Sequence, residues 1–235
     1  MNYGISMNND NLLKDFIIDD SQRDCFNYYI QLRGVYDHYQ LRDLLDSHKL
    51  LPKYDIISTI FRYDKRIRRL LFKYITIIEE YLRSYIINNE YSTEKIVDES
   101  ISNMLFSGLF KNKSIKTLLS NQNVFNYHSI KNKKALVNLR NKVMHSNLLI
   151  TNKNLEECCI SGRKSNSLID NIINMIYYLP TKEIALSFIK EINEASRKGI
   201  KKYKMQLEWN LPTFLIIKID ESILNDFIDK IKRDE

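Results

Sequence analysis

The chain has 235 residues, of which 44% are hydrophobic and 28% are charged, so it suits one globular domain with a real core. Only five glycines and three prolines are present, and their scarcity argues against a fold rich in hairpins and favours long helices. The net charge of +7 favours a polyanionic partner, nucleic acid above all, although a coding bias towards Lys, Asn and Ile explains the charge equally well.

Apolar residues recur at helical spacings through the first half of the chain. A helix is predicted over residues 21–45, and Gly34 is expected to bend or break it. The strongest pattern covers residues 55–88, where apolar side chains recur three and four positions apart over about nine turns. Glu79 and Arg83 lie four positions apart on this helix and are predicted to form an ion pair. A helix this long in a chain of this size indicates the central member of a helical bundle.

The sequence of the second half of the chain predicts shorter helices and an irregular C-terminal segment. A loop is predicted over residues 152–162, or a short helix at 155–159. A strand or a buried loop is predicted over residues 214–217. The short helices and turns are predicted over residues 92–106, 115–119, 131–147, 165–179, 181–199 and 222–232. The predicted fold class is therefore all-α, as one helical domain over residues 1–235 with its core at about 21–200 and a C-terminal extension at 201–235.

The sequence predicts neither a metal site nor a membrane segment. Cys25, Cys158 and Cys159 form no CxxC pair and no zinc-ligand spacing, so reduced thiols in a cytosol are expected. No group of Asp, Glu and His has ligand spacing, so neither a metal nor another cofactor is expected. No signal peptide is predicted, and no apolar run reaches the ~18 residues of a membrane span, which predicts a cytoplasmic protein.

Arginine precedes histidine at short spacing in three places, and this pairing has a chemical meaning. An arginine that binds a phosphate, beside a histidine that transfers a proton, is a minimal set for cutting RNA without a metal. The three pairs are Arg33 with His38, Arg42 with His48, and Arg140 with His145. The third pair is favoured because Asn141 lies one helical turn before His145 on the same face. In contrast, Arg33 is followed by a glycine, and the residues between Arg42 and His48 include two bulky leucines.

The predicted helix over residues 131–147 has a polar face and an apolar face. Its polar face carries Lys134, Asn138, Asn141 and His145, and its apolar face carries Leu136, Leu139 and Val143. Arg140 lies about 100° from Asn141, and its long side chain is expected to turn back towards the polar face. The candidate catalytic residues are Arg140, Asn141 and His145, and the candidate RNA-binding residues are Lys134, Asn138 and Lys142. The alternative is a solvated helix end, where cations interact favourably with the helix dipole.

Other basic residues also have two explanations. Lys131 and Lys133 steer an RNA backbone together with Lys134 and Lys142, or all four form a solvated face. Arg66, Arg68 and Arg69 bind RNA, or they pack and form ion pairs inside the bundle.

The Arg140-Asn141-x3-His145 segment resembles the signature of the HEPN ribonuclease superfamily, and more narrowly the chain resembles the abortive-infection AbiD/AbiF-like family. Residues 61–83 are similar to the long central helix of that family, and residues 27–36 to its tyrosine-rich first helix. The similarity covers about residues 27–152. Met144 and Leu149 stand where the family usually has a small residue and an aromatic residue.

The resemblance implies a HEPN-like helical bundle that forms a homodimer, in which two motif helices face each other across one composite cleft. It implies metal-independent cleavage of RNA by a toxin or phage-defence effector, and hence an antitoxin, either a small RNA or a protein. In that reaction a ribose 2′-OH attacks the adjacent phosphate. Arg140 would stabilise the charge on the phosphate oxygens, His145 would transfer protons, and Asn141 would orient one of these groups. The alternative is a non-catalytic RNA-binding or protein-interaction module with the same fold.

Overall fold

The computed structural model describes residues 14–90, 101, 103–121, 130–145, 148–153, 155–197 and 211–225. These residues are mostly helical and contain one two-stranded sheet, which confirms the all-α class. The chain divides into two compact units, one of Met1–Lys65 with Lys198–Ile216 and one of Arg66–Arg197 with Ile217–Glu235. The prediction of a single domain with a C-terminal extension stays a prediction. None of the described helices is long and apolar enough to cross a membrane.

The first unit contains helix α1, Arg23–Ser47, which is broken where the sequence predicted. Gly34 has φ 75° and ψ 167°, a conformation that is essentially restricted to glycine, so the residues before and after it form two helical segments. Thr213–Leu215 is a 3-10 turn, so residues 214–217 form a loop and not a strand; Leu215 and Ile217 are buried, whereas Phe214 and Ile216 are exposed. The buried side chains of this unit include Phe16, Phe26, Leu41, Tyr54 and Phe61.

Helix α2, Tyr54–Glu90, has 37 residues and confirms the predicted long helix. At 1.5 Å per residue it is about 55 Å long. Its buried side chains follow the three- and four-residue spacing of the sequence, and they include Ile60, Tyr63, Ile67, Leu71, Tyr74, Ile78 and Leu82. The helix begins in the first unit and continues through the second.

The other helices of the second unit are α3 (Phe106–Leu109), α4 (Lys113–Asn121), α5 (Ile130–Met144), α6 (Leu168–Ile176) and α7 (Lys182–Arg197). Helix α5 is the predicted motif helix, and α4 is longer than the predicted turn. Helix α6 begins later than predicted, because the Ser167 side chain caps it by accepting a hydrogen bond from the Asp170 amide. Two helices were predicted over residues 92–106 and 222–232, and the larger part of each lies outside the described residues. At the start of the second, Glu221–Leu224 is a 3-10 turn.

A β-hairpin replaces the loop or short helix that the sequence predicted before α6. Strands β1, Cys158–Ile160, and β2, Arg163–Ser165, are antiparallel, with Cys158 opposite Ser165. The two connecting residues, Ser161 and Gly162, have φ values of 50° and 79°. Positive φ at both central residues is the geometry of a type I′ turn, which matches the twist of the strands that it joins.

Candidate functional site

Helix α5 carries the candidate catalytic residues, and its burial separates two faces. The buried side chains are Asn132, Ala135, Leu136, Leu139 and Val143. Lys134, Asn141 and His145 are exposed, and Asn138 and Lys142 are half-buried. The burial therefore follows the apolar and polar stripes that the sequence predicted. His145 lies just beyond the last residue of α5, and its amide donates to the carbonyl of Asn141 at 2.9 Å, so the chain keeps a helical turn there.

Arg140 lies on the flank of α5 that faces α2. Its Nη2 is 3.9 Å from Oε2 of Glu79, and its Nε is buried without a hydrogen-bond partner among the described residues. Glu79 also pairs with Arg83 at 2.7 Å, which confirms the predicted ion pair and places one carboxylate between two guanidinium groups. The sequence predicted that the Arg140 side chain turns towards the polar face. It is instead directed to Glu79 and is 27% exposed.

Arg83 holds Glu79 firmly in this position. Its Nη2 donates to the carbonyl of Met104 at 2.9 Å, and its Nε donates to the carbonyl of Ile101 at 3.3 Å. Two backbone carbonyls therefore hold the Arg83 guanidinium in place. The guanidinium in turn holds the Glu79 carboxylate in a position close to Arg140.

A pocket of about 200 Å³ lies between α2 and α5, with Arg140 in its wall. Its lining side chains are Phe72, Ile75, Thr76, Glu79, Glu80, Arg83, Arg140, Val143 and Met144. Asn141 and His145 are not in this wall. The structure therefore brings Arg140 into a pocket with α2, whereas Asn141 and His145 stay on the solvent side of α5.

The Asn141 and His145 side chains make no hydrogen bond to another described residue. Both are exposed, so a ligand can reach them from solvent. His145 is thus not a core histidine, and nothing in the described part of the chain holds its imidazole in one orientation.

The candidate RNA-binding residues differ in what they contact. Asn138 accepts a hydrogen bond from the Glu156 amide at 3.2 Å, so it fixes the segment before β1. Lys134 and Lys142 form no ion pair with another described residue. Of the neighbouring lysines, Lys131 lies 3.9 Å from Glu157. Burial, and then the nearby charge of Lys116, lowers the pKa of Lys133.

The pair Arg33 and His38 is excluded as a catalytic pair by burial. His38 is 0% exposed, and its Nδ1–H donates to the carbonyl of Gly34 at 2.8 Å. Burial lowers the pKa of this imidazole, so it is neutral near pH 7. Arg33 is bound to the buried carboxylate of Asp64 at 3.1 Å. His38 therefore bonds to the carbonyl of the residue at which the helix is broken, and it contributes to the fold.

The pair Arg42 and His48 is accessible, but each member is occupied. Arg42 pairs with Asp43 at 3.1 Å and with Asp15 at 3.5 Å. The His48 ring is stacked on Phe214 with 3.6 Å between centroids, and its Nδ1–H donates to the carbonyl of Leu44 at 2.9 Å. The terminal nitrogens of Arg42 and the Nδ1 of His48 are therefore both engaged with other described residues.

The arginine cluster at the start of the second unit contributes mainly to packing. Arg66 donates to the carbonyl of Ala195 at 2.9 Å, and Arg68 is only 9% exposed. Arg69 is exposed and remains available to a ligand.

The acidic, histidine and cysteine side chains of the described residues form no cluster of three that could hold a metal ion. Cys158 is buried, and its Sγ donates to the carbonyl of Ser165 at 3.3 Å. Burial, followed by the charge of Asp170, raises the pKa of this thiol to about 11, so it is unreactive as a nucleophile near neutrality.

Sequence reasoning did not predict the role of Asn132 or the contact between Glu79 and Arg140. The Asn132 side chain accepts from the amide of Cys159 at 2.7 Å and donates to its carbonyl at 3.0 Å, as a neighbouring strand would. A signal was present, because Asn132 lies four positions before Leu136 in the apolar stripe. The contact of Glu79 with Arg140 depends on which helices pack together, and helical periodicity does not contain that information.

Compared with protein-family models, with curated proteins and with solved structures, the chain gives no match in any of the three.

Proposed function

We propose that this chain is a metal-independent endoribonuclease of the HEPN type that acts as an abortive-infection or toxin effector in phage defence. One observation carries the proposal. An exposed histidine and an exposed asparagine stand one turn apart at the end of α5, and the adjacent Arg140 is half-buried, with no hydrogen-bond partner for its Nε among the described residues. The site rests on the resemblance of this segment to the HEPN signature, and the accessibility of His145 is what such chemistry requires.

The reaction is attack of a ribose 2′-OH on the adjacent phosphorus. The P–O5′ bond breaks, and the products are a 2′,3′-cyclic phosphate and a 5′-OH end. His145 transfers the proton of the attacking or leaving oxygen, since histidine is the side chain that most often serves as a general acid or base. Arg140 offers its donors to the phosphate oxygens, on which negative charge accumulates in the transition state. Asn141 orients the imidazole or a phosphate oxygen, and Lys134, Asn138 and Lys142 contact the RNA backbone.

The proposed active form is a cytoplasmic homodimer with a composite cleft. Arg140 faces α2 in one chain while His145 faces solvent, so a second copy that contributes its own residues would complete the set. A toxin of this kind also needs an antitoxin, either a small RNA or a protein.

Incubation with RNA in EDTA tests the proposal. We expect cleavage to 2′,3′-cyclic phosphate ends by the wild type, and none by Arg140→Ala or His145→Ala. The matched control is His48→Ala, which removes another exposed histidine that follows an arginine at similar spacing. It should cleave as the wild type does. A wild type that leaves RNA intact in EDTA refutes the proposal, and so does a His145→Ala variant that still cleaves.

The composite cleft has a separate test. The Arg140→Ala and His145→Ala proteins are each expected to be inactive, and a mixture of the two should recover part of the cleavage. The recovered activity would come from mixed dimers that contain one arginine and one histidine. If the mixture stays inactive although mixed dimers are detected by native mass spectrometry, both groups act from the same chain.

A second candidate function is a non-catalytic RNA-binding or protein-interaction module. The observation that favours it is the position of Arg140, whose guanidinium is directed to Glu79 and lies in a pocket without His145. Salt-dependent RNA binding by the wild type without any cleavage would support this candidate, and an absence of RNA binding would leave protein interaction.

A further inference from the structure

We propose that the pocket between α2 and α5 binds a nucleobase of the RNA substrate, and that it selects guanine. This inference rests on the proposed function, since it assigns a base to the pocket that contains Arg140. It adds a preference for cleavage beside guanine, in which Glu80 determines the choice of base and Phe72 contributes affinity for any base.

The walls of the pocket suit a flat apolar ring. Phe72 and Met144 line it from the two helices, and they are 48% and 45% exposed, so a ligand can reach both from solvent. Ile75 and Val143 are buried and line it as well. An aromatic ring and a thioether on opposite helices can enclose a base by stacking and by sulfur–aromatic contact. The volume of about 200 Å³ admits one base rather than a chain segment.

The charges of the pocket suit a neutral ligand. The lining contains two carboxylates and two guanidinium groups, so their formal charges cancel. Glu79 is paired with both Arg83 and Arg140, whereas Glu80 is exposed and forms no ion pair with another described residue. A free phosphate would meet two carboxylates there. A base whose own phosphate lies further along, towards Arg140, avoids that repulsion.

Hydrogen-bond complementarity selects guanine among the bases. An ionised carboxylate only accepts, so Glu80 needs adjacent donors on its ligand. The Watson–Crick edge of guanine presents two neighbouring donors, N1–H and the N2 amino group, which a carboxylate accepts in bidentate fashion. Adenine and cytosine present one amino group beside a ring acceptor, and uracil flanks its one donor with two carbonyl oxygens. Single-stranded RNA exposes these edges, because its bases are free to leave the stack.

A binding assay that involves no cleavage separates this inference from the proposed function. The probes are fluorescein-labelled octamers of 2′-O-methyl uridine, either unchanged or with one central guanosine or adenosine. They have no 2′-OH and are not cut. Fluorescence anisotropy should show the wild type binding the guanosine octamer at least about fivefold more tightly than the uridine octamer. Cleavage of ordinary RNA, mapped separately, should occur beside guanosine.

The variants are chosen on exposed positions, where replacement leaves the core intact. Glu80→Gln should bring the guanosine-to-uridine ratio of affinities close to one. Glu183→Gln, which removes an exposed carboxylate from α7, is the charge-matched control and should keep the ratio. Phe72→Ala should lose about tenfold in affinity for every octamer, and Phe72→Tyr should restore it, because stacking tolerates any base.

The outcomes are distinct. Binding without a guanosine preference overturns the base pocket even if ordinary RNA is cut. A guanosine preference that depends on Glu80, without any cut in ordinary RNA, upholds the pocket and overturns the nuclease. If Phe72→Ala instead changes the molecular mass in light scattering and leaves the affinities unchanged, the surface belongs to a second copy of the chain and the inference is wrong.

Discussion

The central prediction concerns Glu79, whose carboxylate would compete with RNA phosphate for Arg140 under the proposed function. The Glu79→Gln substitution removes the negative charge and keeps the shape of the side chain. Because Arg140 is then free to turn towards a phosphate, we expect RNA to bind more tightly. The Arg83 ion pair at 2.7 Å becomes a hydrogen bond from the charged guanidinium to a neutral amide oxygen, which should lower the free energy of unfolding by about 1 kcal/mol. The protein should therefore remain folded during the assay.

The magnitude follows from the distance between the two groups. At 3.9 Å, and with an effective dielectric constant of about 20, the gross Coulomb attraction is about 4 kcal/mol. The side chains of Arg140 and Glu79 are 27% and 16% exposed, and solvent screening and side-chain entropy reduce the net value to about 1 kcal/mol. Release of Arg140 should therefore strengthen RNA binding about fivefold at low salt, and less as salt screens the contact.

The assay is fluorescence anisotropy with the uncut uridine octamer, at two salt concentrations. Glu183→Gln, with the same change in net charge, should bind less than twofold more tightly than the wild type. A double-mutant cycle isolates the contact, because Glu79→Gln should give no gain when Arg140→Gln is already present. An equal gain with and without Arg140 would refute the reasoning, since the effect would then be a change in net charge alone.

Four further substitutions test the fold that holds the site. Asn132→Ala removes both hydrogen bonds to Cys159 and should lower the free energy of unfolding by about 2–4 kcal/mol. Asn138→Ala removes one hydrogen bond of 3.2 Å and should lower it by about 1 kcal/mol. Urea titration measures both changes. Gly34→Ala should cost about 1–3 kcal/mol in the same titration, because φ 75° with ψ 167° is strained for alanine. Burial lowers the pKa of His38 below 6.5, so the unfolded chain binds this proton first and stability should fall as the pH drops below 6.5, by at most about 1.4 kcal/mol per pH unit. In His38→Gln that fall should be smaller, and an unchanged pH profile would contradict the assignment.

Local patterns predicted the helices well because each depends on a few neighbouring residues. The spacing of apolar side chains over residues 55–88 required a long helix, and Tyr54–Glu90 is one. Gly34 was expected to bend or break α1, and the helix is broken there at backbone angles that glycine tolerates. The hairpin at Cys158–Ser165 was missed, since Ser161-Gly162 is a weak turn signal and Asn132 completes the pairing from far along the chain.

The candidate site was predictable in part for the same reason. Which face of α5 meets solvent follows from periodicity, so the exposure of Asn141 and His145 could be expected. The direction of the Arg140 side chain could not be predicted, because it depends on the carboxylate of Glu79. That residue lies 61 positions earlier in the chain, and tertiary packing brings it within 3.9 Å. Long side chains at the border between two faces have two accessible directions, and electrostatic partners on other elements decide between them.

The geometry of α5 limits how Arg140 and His145 can act on one phosphate. Five residues of helix turn through about 140° net and rise about 7.5 Å, so the two side chains leave the axis in different directions. Two arrangements bring them together. In one, Arg140 leaves Glu79 and swings across the helix, which costs the ~1 kcal/mol of that ion pair and makes Glu79→Gln the more active enzyme. In the other, Arg140 stays and a second copy supplies the imidazole, so that Glu79 positions the arginine and Glu79→Gln is slower. The direction in which the cleavage rate of Glu79→Gln changes therefore distinguishes catalysis within one chain from catalysis between two.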